Sequence, residues 1–155
     1  MQTEKQLVLE PGGGERLRFL GDSTLFIKTA GNETDGALAF YEYISQPGVT
    51  SAPQHVHHGH DETFYIVHGH FEFTLGTATV TADPGSFLVV PRGTPHTFRN
   101  AGDGEGRFVS TSNPARFAQY FQELAEIIER TGAAPGREDW IELYGRYDTT
   151  FYDEH

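Results

Sequence analysis

Cysteine is absent from this chain of 155 residues. Disulfides, thiolate metal sites and cysteine nucleophiles are thereby excluded. Long apolar runs are missing too. Stretches such as Phe87-Leu88-Val89-Val90 fall far short of the roughly 20 residues that a membrane-spanning helix needs. Residues 1–14 carry no apolar stretch after a basic start, so no secretion signal is expected and the expected compartment is the cytoplasm. Positive charge is scarce: 11 Lys and Arg stand against 22 Asp and Glu, a formal net charge of −11. A surface of that sign repels phosphate backbones and anionic lipid, so neither nucleic acid nor membrane is an expected partner.

What the chain has in quantity is turn formers and rings. It carries 18 Gly and 8 Pro, and aromatic residues make up 13%. That suits many short strands joined by turns. Residues 23–28, 37–45, 62–67, 71–75, 77–81, 86–90, 97–99 and 106–110 read as strands. Segments 62–67 and 71–75 read as a pair joined at Gly69, and Asp83-Pro84-Gly85 as a turn. Such spacing predicts an all-β antiparallel sandwich or barrel.

The pattern changes at Asn113-Pro114, where Asn suits a helix N-cap and Pro the first helical position. Phe117, Tyr120, Phe121, Leu124, Ile127 and Ile128 then fall on one helical face, ended by Gly132. A second short helix is expected over residues 138–144, and residues 146–155 show no clear pattern. The apolar stripe calls for a cover: an outer face or edge of the sheets, or a second copy in a homodimer. With no repeat and no long linker, the chain reads as one domain, a β body over residues 1–112 and a helical extension over 113–155.

Eight His are present, six of them between residues 55 and 70. His55 and His57 are two apart in an extended segment, so both point the same way with Cα atoms roughly 6.5–7 Å apart. Two imidazole nitrogens can then converge on one cation. Glu62 follows after Gly59, and His96 stands beyond Pro91, Gly93 and Pro95 before a strand. Burying three imidazoles and a carboxylate with no cation would cost several kcal/mol. A metal site of His55, His57, Glu62 and His96 is therefore expected. His58, His60, His68 and His70 read as loop or strand residues without a ligand role, and His155 as an uninformative terminal residue. By alternation Phe64, Ile66 and Phe98 face the metal side and form the expected substrate-binding wall.

These positions resemble the two motifs of the cupin superfamily. His55, His57, Glu62 and Gly69 fit the first, G-x5-H-x-H-x3,4-E-x6-G, although six residues separate Gly48 from His55 instead of five. Gly85, Pro91, Gly93, His96 and Asn100 fit the second, G-x5-P-x-G-x2-H-x3-N. The resemblance implies a double-stranded β-helix, the cupin jelly roll, with the C-terminal helix packed outside. It also implies one divalent transition metal ion (Fe, Mn, Ni, Co or Zn) inside the barrel, and the homodimer common among small quercetin dioxygenase-like cupins. One departure is His68-Gly69-His70, where many relatives carry Glu-Gly-Glu.

Four protein ligands would leave two adjacent octahedral positions open for small molecules. The expected activity is that of a dioxygenase resembling quercetin dioxygenases, acting with dioxygen on a flavonol-like, enolisable or phenolic substrate. Glu62 is the expected catalytic base. The alternatives are an oxygen-independent isomerase or polyketide cyclase, and a non-enzymatic metal- or ligand-binding cupin.

Overall fold

The computed structural model describes residues 5–152. His155 and the first four residues of the 1–14 segment lie outside that range. Eleven strands are formed: β1 (Glu15–Arg18), β2 (Thr24–Thr29), β3 (Ala39–Ser45), β4 (His55–His57), β5 (Asp61–His68), β6 (Phe71–Leu75), β7 (Ala78–Ala82), β8 (Phe87–Val90), β9 (His96–Asn100), β10 (Gly106–Asn113) and β11 (Thr149–Phe151). Two helices, α1 (Ala118–Thr131) and α2 (Arg137–Gly145), lie between β10 and β11.

The strands make two antiparallel sheets, in the orders β1-β2-β3-β10-β5-β8 and β11-β4-β9-β6-β7. This is the expected jelly roll. One pairing differs from expectation. β5 and β6 are not partners: β5 pairs with β10 and β8, and β6 with β7 and β9. The join at Gly69 (φ 89°) is a crossing between sheets, not a hairpin. A Cβ at Gly69 would sit 2.8 Å from the Gly106 Cα, so only glycine lets the corner close.

Strict alternation builds the core. β3 buries Ala39, Tyr41, Tyr43 and Ser45, while β10 buries Gly106, Phe108, Ser110 and Ser112. Phe64, Phe71, Phe73, Phe98 and Phe108 meet between the sheets with ring centroids 5.0–6.5 Å apart. Each buried ring stabilises the fold by about 1.5–3 kcal/mol before entropy is counted. Asn100 is fully buried, and its amide ties three segments together by donating to the carbonyls of Ser45, Gln46 and Gly104.

The helical part also differs in detail. Asn113 and Pro114 do not cap α1: a short 3-10 turn over Ala115–Phe117 comes first, and Phe117 occupies the N-cap without a side-chain cap bond. The asparagine is instead the last residue of β10, where Thr111 Oγ1 donates to its side-chain oxygen. α1 runs along the edge strand β1, with Gln122 Nε2 donating to Glu15 Oε2 at 2.8 Å. Its Phe117, Tyr120 and Phe121 turn inward to line the same cavity as the histidines. The stripe therefore covers a sheet edge and also plugs a barrel mouth. Among the described residues no helix is long and apolar enough to cross a membrane.

Candidate metal centre

His55, His57, Glu62 and His96 are all buried and line one cavity. β4 supplies the first two, two residues apart on one side of a strand. β5 supplies Glu62 beside them, and β9 pairs His96 directly with His55. The turn before His96 is bolted down on two sides. Gly93 N donates to the His57 carbonyl at 2.7 Å with φ 86°, and Arg92 N donates to Asp61 Oδ1 at 2.9 Å.

The ring orientations follow from what the other nitrogen touches. His55 Nδ1 lies 2.9 Å from the Pro53 carbonyl and His96 Nδ1 lies 2.9 Å from the Thr94 carbonyl. A carbonyl only accepts, so both Nδ1 atoms carry hydrogen. His57 Nδ1 lies 2.9 Å from Thr149 Oγ1, whose own hydrogen goes to the Tyr147 carbonyl at 3.0 Å. His57 Nδ1 must then donate as well. In the neutral form all three rings present the Nε2 lone pair, the arrangement that metal-bound histidines adopt.

Those lone pairs meet acceptors. Glu62 Oε1 is 3.1 Å from His57 Nε2, and Glu62 Oε2 is 3.1 Å from His96 Nε2. The His57 Nε2 atom is buried and makes no hydrogen bond among the described residues. Burial works against charge on His96, but Glu62 and the Thr94 carbonyl outweigh it and raise its pKa. Burial lowers His57 to about 4, against the pull of Glu62. Burial, then the other two rings, holds His55 well below its ordinary value. For Glu62 burial works upward, yet His57, His60 and His96 more than offset it and keep the carboxyl ionised. An anion facing convergent lone pairs, one of them orphaned, fits a bound cation. Ligand atoms of His55, His57 and His96 lie within 4.8 Å of one another, as do those of His57, His60 and Glu62.

His60, expected from the sequence to be a loop or strand residue without a ligand role, is a loop residue that lies beside Glu62. It is 4% exposed, its Nε2 is 3.2 Å from Glu62 Oε1, and its ring lies between His57 (4.2 Å) and Phe117 (4.6 Å). Its position two residues before Glu62 was the available signal, since i and i+2 share a side. His68 is exposed because the β5–β10 register shifts opposite it, between Arg107 and Phe108, which breaks the alternation. His58 is exposed and contacts Thr150, and His70 pairs with Asp83 at 2.6 Å.

Of the expected substrate wall, Phe64 and Phe98 line the cavity. Ile66 keeps their facing but is fully buried in the core, away from the lining. Most of the remaining wall is aromatic, with Tyr41, Tyr43 and Phe108 from the barrel and Phe117, Tyr120, Phe121 and Tyr144 from the helical extension, and Leu25, Ser51, Ala52 and Ser110 fill in between. Tyr144 lies 5.3 Å from His55 and 5.1 Å from Tyr120. The cavity so lined measures about 50 Å³, far below the roughly 300–1,000 Å³ of pockets that take drug-sized ligands.

Residues 41–112 match the cupin domain family. The chain carries a cupin domain over that stretch. It is 31% identical over 122 residues to the quercetin 2,3-dioxygenase of Bacillus subtilis (strain 168), a match covering 79% of this chain and 35% of that enzyme. This cupin thus spans about a third of that relative's length. The solved structure of KdgF from Halomonas sp. superposes with a TM-score of 0.65 at 18% identity, over 74% of this chain and 98% of that one. The polyketide cyclase RemF from Streptomyces resistomycificus gives 0.61 at 18% identity, over 70% and 79%. At such identities the two structures speak for the jelly roll alone.

Proposed function

We propose that this cupin is a metal-dependent dioxygenase of the quercetin dioxygenase type, acting on an enolisable or phenolic small molecule. The observation that carries this reading is the set of three outward-anchored imidazoles and one carboxylate closing on one apolar cavity. The 31% identity to a quercetin 2,3-dioxygenase supports the choice of reaction. His55, His57, Glu62 and His96 would hold one divalent transition metal ion, which would supply Lewis acidity and, for Fe, Mn, Co or Ni, redox chemistry.

The chain's own groups supply the rest. Glu62 accepts the substrate hydroxyl proton at one oxygen while His60 steadies the other. Phe64 and Phe98 flank a planar substrate and exclude water, and Ile66 backs that wall from the core. The expected partners are a small-molecule substrate, dioxygen and a second copy of the chain. Tyr65, Val67, Phe87 and Val89, exposed on β5 and β8, offer an apolar surface for that copy.

A second reading rests on the small cavity: polarisation of a compact carbonyl compound for isomerisation or cyclisation without oxygen. Elemental analysis of protein purified without added metal, followed by oxygen uptake against flavonols, diketones and catechols, decides between them. Uptake with one compound class, lost in Glu62→Gln while the metal is retained, is expected. Turnover that survives anaerobic assay with zinc would establish the second reading in its place.

A further inference from the structure

We infer that Thr149, on the C-terminal strand β11, is a positioning residue that fixes the ring of His57 for metal binding. The inference rests on the reading of His57 as a ligand. β4 is a strand of three residues and pairs with β9 only at His55 and His96. Its other edge is completed by β11, in the register Thr149 with His57, Thr150 with Val56 and Phe151 with His55. Two backbone bonds extend that clamp: Tyr152 N donates to the Gln54 carbonyl at 2.9 Å, and His58 N to the Asp148 carbonyl at 2.8 Å. The ligand-bearing strand is thus held by the last described residues of the chain, which lie 92 positions away from His57.

Within the clamp, Thr149 is 2% exposed and its hydroxyl has a defined direction. It donates to the Tyr147 carbonyl and so has only a lone pair to offer His57 Nδ1. The hydrogen is thereby placed on Nδ1 and the lone pair of Nε2 is aimed at Glu62. Both other ligand rings use backbone carbonyls two residues before them for the same purpose. For His57 that local acceptor is replaced by a side chain from a distant strand. The threonine suits the place because its β-branched side chain has few rotamers and favours a strand.

The test compares wild type, Thr149→Ser and Thr149→Val. Long-range nitrogen–proton NMR on the metal-free protein reads the His57 tautomer, and a chelator-competition titration with Zn(II) or Ni(II) reads affinity. Wild type and Thr149→Ser are expected to hold hydrogen on His57 Nδ1. Thr149→Val is expected to lose that preference and to bind the ion about 10- to 100-fold more weakly, the usual cost of losing such a support. Hydrogen on Nε2 of His57 in wild type would overturn the inference without recourse to any variant. So would a valine variant with unchanged tautomer and affinity, or a serine variant as impaired as valine. A normal His57 tautomer response with no metal binding in wild type would leave the positioning geometry standing and instead end the metal reading.

Discussion

His57 Nε2 lies 3.1 Å from Glu62 Oε1, and no hydrogen bond joins them. With hydrogen fixed on Nδ1 by Thr149, a lone pair faces a carboxylate oxygen in a buried site. Two acceptors that close repel unless positive charge stands between or beside them. In the metal-free chain a proton on His96, held by Glu62 Oε2, partly serves that purpose. A divalent ion would serve it for all four groups at once.

Metal removal should therefore cost stability as well as activity. Free ion at about a hundredfold its dissociation constant stabilises the folded state by about 2.7 kcal/mol. For a domain of this size that corresponds to roughly 5–10 °C in Tm. Scanning calorimetry of chelated and reloaded protein reads the difference. An unchanged Tm would remove the ion from the site.

The pH dependence of the chelated protein follows from the same rings. An unfolded histidine titrates near 6.5. Burial holds His57 at about 4 and His55 well below its ordinary value. Between pH 6.5 and about 4 the unfolded chain binds more protons, so stability is lost as pH falls. His96 acts in the opposite sense, because Glu62 raises it against burial. Its contribution is complete below pH 6.5 and is lost as pH rises through the raised value. These groups place the maximum Tm of the chelated protein near pH 6.5. Metal loading displaces the His96 proton and should abolish the alkaline decline. A Tm that climbs steadily to pH 8 without metal would show that His96 is not protonated beside Glu62.

Much of this was legible in the sequence, for identifiable reasons. His55 and His57 stand two apart, and a strand's two-residue period makes them one-sided; that Glu62 and His96 join them was expected from the resemblance to the cupin motifs, and the pairing of β9 with β4 is what brings His96 there. The strand from Phe71 to Leu75 follows from the same period. β1 and β11 were not visible, because Glu15–Arg18 and Thr149–Phe151 are short and become strands only through their partners β2 and β4. The crossing at Gly69 imitates a hairpin locally, and only sheet packing separates the two. His60 carried a usable signal. Thr149 carried none, since its role is set by a contact over 92 residues.

His60 supports Glu62 from the side away from His96. Its Nε2 donates to Oε1, and its ring packs between His57 and Phe117. His60→Phe keeps the ring and removes the donor. A buried hydrogen bond to a charged group is worth about 1.5–3 kcal/mol, so urea unfolding of the chelated variant should show a loss of that order. His60→Gln retains an N–H and should lose less than half as much. Equal losses in the two variants would assign the effect to packing.

The aromatic plug sets the last expectation. A cavity of about 50 Å³ does not admit a flavonol, so a substrate of that size enters only if Tyr144 and its neighbours move. The single tryptophan of the chain is placed to report this. Trp140 is 8% exposed and its Nε1 donates to the Tyr120 hydroxyl at 3.2 Å. Tyr120 in turn stacks on Tyr144, which lies 5.3 Å from the His55 ring. Displacing Tyr144 breaks that line and brings water to the indole. Titration with a turned-over flavonol or diketone, excited at the red edge to limit absorption by the ligand, should shift Trp140 emission to longer wavelength with the same midpoint as catalysis. Tyr144→Ala, which opens the wall at a cost of about 3–5 kcal/mol, should weaken that shift and lower KM for the bulkier members of the panel. Emission that stays fixed at saturating substrate would mean that the plug never opens, and that the true substrate is small enough to share the closed cavity with the ion.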